Sequence, residues 1–217
     1  MATILMKLSE DKAASQYDRW ISFLTFAQDR LLRAYIIKHL LPRKGKILDV
    51  GCGTGKLLIE AGRRGVRGIG VDANKEMLMV AEKRLKKHNL GKWVSFQYGN
   101  ATRLEFEDNS FQLVSSTLMI SELQPTEITK FMSEISRVSM PNALIAIGGE
   151  GVPRNSVVAK IISLIRRLSF GIVSRTTQVK SHPHHDIPHA MRVAGLTPKY
   201  RVSFLGGLLE LNVAEVK

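Results

Sequence analysis

The chain's most constraining feature is a short apolar run that stops in glycine. Lys46-Ile47-Leu48-Asp49-Val50 leads into Gly51-Cys52-Gly53-Thr54-Gly55-Lys56, and a helix-like segment follows. An apolar run this short, bounded by small residues, reads as a buried strand feeding a tight loop. Asp72 comes 21 residues after Gly51, at the end of a second apolar run, Gly68-Ile69-Gly70-Val71. One strand end offers backbone N–H groups and the next offers a carboxylate. That pair suits a nucleoside-containing cofactor, held by its tail and its ribose.

The rest of the chain repeats the alternation. Apolar residues Tyr17, Trp20, Ile21, Leu24, Leu31, Leu32, Tyr35 and Ile36 recur at spacings of three and four, predicting a helix over about 12–40. Strands follow at 46–50, 66–71, 94–98, 111–116 and 144–148. Helices are expected at about 55–64, at 74–88 with Asn74 as cap and Met77, Leu78, Ala81 and Leu85 on one face, and at 126–138. Pro141-Asn142 reads as a turn before the fifth strand. Asp186 caps a short helix ended by Gly195, and two strand-like runs at 199–204 and 208–213 close a β-hairpin through Gly206-Gly207. The expected fold is α/β: a Rossmann-like, doubly wound seven-stranded sheet, mostly parallel, with a C-terminal antiparallel hairpin. A single domain of 217 residues divides into a helical cap (1–45), a cofactor-binding core (46–150), a basic substrate-side segment (151–198) and the hairpin (199–217).

Charge distribution separates these parts. The net charge is +13, of which residues 1–46 carry +5, residues 47–150 carry +1 and residues 151–217 carry +7. From Gly151 to His185 there are six basic residues and no acid. Such a run is either a solvated basic surface or a face for an anionic partner. Cys52 is the only cysteine, so no intrachain disulfide can form and a reducing compartment is expected. No apolar run approaches the ~20 residues of a membrane span. The N-terminal residues lack the apolar core of a signal peptide. The expectation is a cytoplasmic protein, with peripheral contact at the inner face of the membrane left open.

The loop and its neighbours carry a more specific pattern. Asp49 followed by Gly51-x-Gly53-x-Gly55 resembles motif I of the class I S-adenosylmethionine-dependent methyltransferases. Asp72 matches that family's ribose-holding acid, and Asn100-Ala101 after the third strand matches its adenine position. The segment 107–114 resembles its lead-in to the fourth strand. Residues 135–143, Ile135 to Ala143, resemble its Arg-Val-Leu-Lys-Pro-Gly-Gly segment, with Asn142-Ala143 replacing the glycines. The resemblance covers about 46–150. Tyr17-Asp18, Thr25-Phe26-Ala27 and Arg30-Leu31-Leu32-Arg33, with Asn100-Ala101 and the hairpin 204–211, are similar to the ubiquinone/menaquinone-biosynthesis branch. Related phospholipid methyltransferases share much of it.

The resemblance implies that Thr54, Asp72, Asn100, Ala101 and Thr117 contact the cofactor, S-adenosylmethionine, whose product is S-adenosylhomocysteine. Tyr17, Asp49, Gly51, Cys52, Gly53, Gly55, Ala73 and Met77 complete the expected cofactor site. Several of these have plainer readings. Asp49 also reads as an acid that orients the loop, Cys52 as a small packed residue, Met77 as helix core and Asn100 as a turn former.

The acceptor is less constrained. Methyl transfer to an amine needs only its neutral form, whereas a phenol or ring carbon needs a base. The weak candidates are His182, His184 and His185, which precede the last helix, together with Glu122 and Tyr17. The prolines among the histidines oppose a helical metal-binding pair, so no metal is expected. A helix over 155–170, with Val157, Val158, Ile161, Ile162, Ile165 and Leu168 on one face, either packs on the sheet or lies on an anionic membrane. Aromatic residues are 6% of the chain, which does not support nucleic-acid recognition by stacking. The quinone enzymes carry Arg-Asn after the fourth strand where this chain has Ser121-Glu122, so the substrate stays open. A quinone-precursor or lipid-type acceptor is favoured. A soluble anionic small molecule or RNA, and a non-catalytic S-adenosylmethionine-binding protein, are the alternatives.

Overall fold

The computed structural model of the chain describes residues 29–151 and 186–217. A helix α1 over residues 29–39 comes first. Then follow β1 (Lys46–Val50), α2 (Lys56–Gly62), β2 (Arg67–Asp72), α3 (Lys75–Lys87), β3 (Val94–Tyr98) and β4 (Phe111–Thr117). After a 3-10 turn at Ile120–Glu122 come α4 (Pro125–Val138), β5 (Ser139–Glu150), α5 (Ile187–Val193), β6 (Thr197–Phe204) and β7 (Leu209–Glu215). The strands form one sheet of order β3-β2-β1-β4-β5-β7-β6. The first five are parallel, and β7 runs antiparallel to both β5 and β6. The expected seven-stranded sheet with its edge hairpin is therefore the fold. Strand order reverses between β1 and β4, and ligands of such sheets bind outside the carboxyl ends at that switch point.

Local sequence explains the helices beside this point. Asn74 caps α3 by accepting from the Glu76 and Met77 amides, and Met77, Leu78, Ala81 and Leu85 are its buried face. Pro125 starts α4, and Gln124 and Glu127 cap each other's backbone. Ile128, Phe131, Met132, Ile135 and Val138, at helical spacing, turn α4 inward. Asp186 accepts from the His189 amide to start α5.

The sheet has a core on each face. Leu48, Val50, Val114, Ile145 and Ile147 pack against Phe131, Met132 and Ile135 of α4 and Met191 of α5. Ile47, Leu113, Ala146, Leu209 and Leu211 pack against Leu32 and Ile36 of α1 and Leu57 and Leu58 of α2. Phe131 is fully buried, so its truncation to alanine should cost about 3–5 kcal/mol. Side chains alternate along each strand, and the register aligns Asp49 with Ser115, Thr117 with Gly148, and Glu150 with Leu209. All of these face α1.

One strand begins earlier than the sequence suggests. β5 starts at Ser139, not Leu144, because Ser139 already pairs with Phe111. The register then slips before Leu113 meets Leu144. Pro141-Asn142 forms a bulge inside the strand, with Asn142 at φ 62, a conformation asparagine tolerates.

Candidate active site

The glycine loop sits at the carboxyl end of β1, as its sequence requires. Gly51, Gly53 and Gly55 have φ of 70, 52 and 71. Most L side chains avoid this left-handed region. Gly51 N and Cys52 N both donate to Val71 O, at 2.8 and 3.1 Å, tying the loop to β2. A Cβ on Gly51 would lie 2.6 Å from Met119 Cγ, and one on Gly55 would lie 2.3 Å from Phe96 Cζ. Among the described residues, a Cβ on Gly53 would meet nothing within 4 Å. The loop is therefore packed from behind at Gly51 and Gly55 and open in front at Gly53. The Thr54 carbonyl accepts from Arg84 of α3.

Asp72 ends β2 directly across from the loop. Gly53 N donates to its Oδ2 at 2.7 Å and Asn74 N to its Oδ1 at 2.8 Å. Each carboxylate oxygen keeps a further lone pair, so the group is fixed and can still accept from a vicinal diol. Burial raises the Asp72 pKa, the two backbone amides oppose that rise, and the charge of Glu122 adds to it. Ala73, beside it, is exposed, and Met77 is buried on the inner face of α3.

Asp49 is buried behind the loop. Its Oδ1 accepts from Ser115 Oγ at 2.8 Å, across the β1–β4 ladder. Burial lifts its pKa to about 7. Ser115 pulls the other way, Asp29 and Asp72 add to the rise, and Arg33 opposes it. Cys52 is buried too, and a Cβ on Gly70 would lie 2.8 Å from its Sγ. Burial pushes its thiol pKa up, so Cys52 is a packing residue with no thiolate character.

Asn100 and Ala101 stand past the end of β3. Asn100 Oδ1 accepts from Thr102 N at 2.9 Å and Thr102 Oγ1 at 3.0 Å, so its side chain forms the turn. Arg137 of α4 holds the next stretch of that loop. It donates to the carbonyls of Leu104 and Phe106 and to the carboxylates of Asp108 and Glu134. Glu134 in turn accepts from Leu104 N at 2.6 Å.

Thr117 ends β4 at the switch point. Leu118 follows at φ 63, its amide bonded to Gly148 O at 2.8 Å. This turn throws Met119 across the glycine loop. Glu122 is exposed and acts electrostatically on Asp72. The fold thus brings together Asp49, residues 51–55, Asp72, Ala73 and Thr117 at the carboxyl ends of β1, β2 and β4, with Asn100-Ala101 after β3. Tyr17, His182, His184, His185 and the helix expected at 155–170 lie outside the described residues. The sequence pattern gives no partner for Arg84, nor for Arg137 and Arg33, which enter it only as parts of the 135–143 and 30–33 resemblances. Arg33 is buried and joins Asp29 to Glu60 of α2. Long-range pairing leaves no local pattern, although arginines inside otherwise apolar helix faces were a usable signal.

Comparison with known proteins agrees with this geometry. Residues 47–142 match the family described as Methyltransferase domain. The demethylmenaquinone methyltransferase of Lactobacillus johnsonii is 28% identical over 151 residues, covering 68% of this chain and 61% of that protein. The 2-phytyl-1,4-naphtoquinone methyltransferase of Trichormus variabilis is 32% identical over 141 residues, covering 63% and 61%. The chain therefore spans about six-tenths of the length of the curated relatives it matches. A crystal structure of a SAM-dependent methyltransferase from Methanosarcina mazei superposes with a TM-score of 0.67 at 22% identity, over 83% of this chain and 96% of that one. That likeness is one of fold.

Proposed function

We propose that the chain, whose residues 47–142 match the methyltransferase domain family, is an enzyme that transfers a methyl group from S-adenosylmethionine to a hydrophobic acceptor. The observation that carries this reading is the Asp72 carboxylate, fixed by the Gly53 and Asn74 amides beside an open glycine. The residues fit the cofactor. Asp72 accepts from the ribose hydroxyls, the loop backbone 51–55 lies against the cofactor's tail, Asn100-Ala101 meets the adenine, and Thr117 faces the reacting end. The cofactor supplies an electrophilic methyl on sulfur. The chain's own work is to align an acceptor in line with it and to exclude water.

For the acceptor we infer a 1,4-naphthoquinone-type ring carrying an isoprenoid tail, in its dihydroxy form. Two relatives are named for demethylmenaquinone and for 2-phytyl-1,4-naphtoquinone. The carboxyl-end rim of the sheet is apolar at Leu118 and Met119 after β4 and at the exposed Leu205 in the β6–β7 turn, which suits such a tail. The basic segment 151–185 would hold the enzyme on an anionic bilayer, from which that acceptor is drawn.

Incubation with methyl-labelled S-adenosylmethionine and 2-prenyl-1,4-naphthohydroquinone tests the reading, with label expected in the ring. Label appearing in a phospholipid or RNA fraction instead would replace the acceptor. Label in no fraction would favour a non-catalytic binding protein. Flotation with anionic vesicles tests the membrane contact separately, and no flotation at moderate salt would remove it.

A further inference from the structure

The glycine loop has little stiffness of its own. Thr54 stands between Gly53 at φ 52 and Gly55 at φ 71, and glycine gives up more conformational freedom on ordering than any other residue. The loop's shape must therefore come from what holds it. The amides of Gly51 and Cys52 donate to Val71 O, that of Gly53 to Asp72 Oδ2 and that of Gly55 to Cys52 O. Among the described residues, the Thr54 N–H is the loop amide left without an acceptor.

Arg84 holds the loop from α3. Its Nη1 donates to the Thr54 carbonyl, which is its one hydrogen-bond acceptor among the described residues. Gly55 N lies 3.0 Å from Cys52 O, so both ends of the Thr54–Gly55 peptide group are fixed. Helical spacing brings the guanidinium there. Met77, Ala81 and Arg84 share one face of α3, and Ala81 Cβ lies 3.0 Å from where a Cβ on Gly55 would stand. At the head of the same helix, Asn74 N donates to Asp72 Oδ1 at 2.8 Å. The helix thus grips the site at two points about 15 Å apart along its axis.

The other cations of that last turn behave differently. Lys86 and Lys87 are exposed, as side chains that only complement a helix C-terminus are. Arg84 is half-buried against the loop. Burial holds its pKa below the usual value, nearby Arg33 adds to that, and Asp29 opposes it. A charge kept partly out of water beside another cation needs its acceptor, and the loop carbonyl is that acceptor.

We propose that Arg84 is a positioning residue for the cofactor's amino-acid tail: by holding the Thr54 carbonyl it sets the loop so that the Thr54 N–H is left to donate to that tail. The proposal rests on the cofactor reading above. Arg84 acts through the loop and not by contact with the cofactor. Asp72, on the nucleoside side, is held by other bonds, so losing Arg84 should weaken the tail's contacts and spare the nucleoside's.

The test is calorimetric titration of wild type, Arg84→Met, Arg84→Lys and Lys87→Met, with urea unfolding of each. The ligands are S-adenosylhomocysteine and adenosine, which shares the nucleoside and lacks the tail. Arg84→Met should weaken S-adenosylhomocysteine binding by roughly 5- to 30-fold and leave adenosine within about twofold, as for a charged hydrogen bond discounted for exposure. Arg84→Lys, which keeps a donor, should fall in between. Should Arg84→Met not fold, Arg84→Lys carries the same comparison of the two ligands. Lys87→Met, which removes a neighbouring charge and no loop bond, should bind as wild type does. Unchanged S-adenosylhomocysteine affinity in a folded Arg84→Met overturns the assignment and leaves the cofactor reading standing. Equal losses for both ligands overturn it in favour of a structural role, and an equal loss in Lys87→Met overturns it in favour of bulk charge. A wild type that binds neither ligand removes the cofactor reading and this one with it.

Discussion

Gly53 donates its backbone N–H to Asp72 Oδ2 at 2.7 Å, so the loop after β1 and the acid after β2 form one rigid unit. The contact needs a residue whose side chain will not fill the open face, and it orients the carboxylate that Asn74 N holds from the other side. Asp72→Ala removes the proposed ribose acceptor and both anchors. Hydrogen bonds to a charged group contribute about 1.5–3 kcal/mol each, so S-adenosylhomocysteine affinity should fall at least roughly 10- to 100-fold. Asp72→Asn, which keeps one acceptor oxygen, should fall in between. Calorimetric titration checks both, and unchanged affinity in the alanine variant would move the ribose elsewhere.

Asp49 makes stability depend on pH in an unusual direction. Its folded pKa is raised from 3.8 to about 7. Between those values the folded chain holds a proton that the unfolded chain has lost. Stability therefore falls as pH rises from about 4 to 7 and is level above that, by on the order of 4 kcal/mol from this group. Asp49→Asn removes the titration, and Ser115 Oγ can still donate to the amide oxygen. Urea unfolding at pH 5 and pH 8 should show the variant gaining on the wild type at the higher pH. An equal difference at both would disprove the raised pKa.

Arg137 anchors the chain between β3 and β4. Two backbone carbonyls and two carboxylates converge on its guanidinium, a fork that lysine cannot copy. Its side chain is one-third exposed, so solvent screening reduces what the ion pairs add. Arg137→Lys should cost about 1–2 kcal/mol, mostly from the carbonyls of Leu104 and Phe106. Hydrogen exchange should rise in residues 101–108 before the helices loosen. Exchange confined to α4 would show that the arginine supports the helix and not the loop.

The sequence made some of this legible and hid the rest for physical reasons. Val94–Tyr98 and the Asn74-capped helix appear where periodicity and caps put them, because both signals are local. Gly51, Gly53, Gly55 and Asp72 were readable for the same reason. β5 starts earlier than its sequence suggests because Pro141-Asn142 carries the chemistry of a turn, while the ladder accepts it as a bulge. The Ser115 partner of Asp49 lies 66 residues away, and the Arg137 bond to Leu104 spans 33, so neither has a local signature.

Gly53 and Gly55 have nearly the same backbone conformation and opposite surroundings, which allows binding to be separated from stability. Both have positive φ, so alanine at either should cost about 1 kcal/mol in backbone energy alone. At Gly55 the new methyl would also lie 2.3 Å from Phe96 Cζ and 3.0 Å from Ala81 Cβ. Overpacking of that kind adds about 1–3 kcal/mol. Gly55→Ala should therefore lower the urea midpoint clearly. At Gly53 the methyl meets no atom of the described residues within 4 Å. Gly53→Ala should fold with only the backbone penalty and lose most of its cofactor affinity, because the methyl occupies the open face of the loop. Titration with S-adenosylhomocysteine beside urea unfolding of both variants decides the matter. A Gly53→Ala protein that binds like wild type would mean that the cofactor does not lie against this loop.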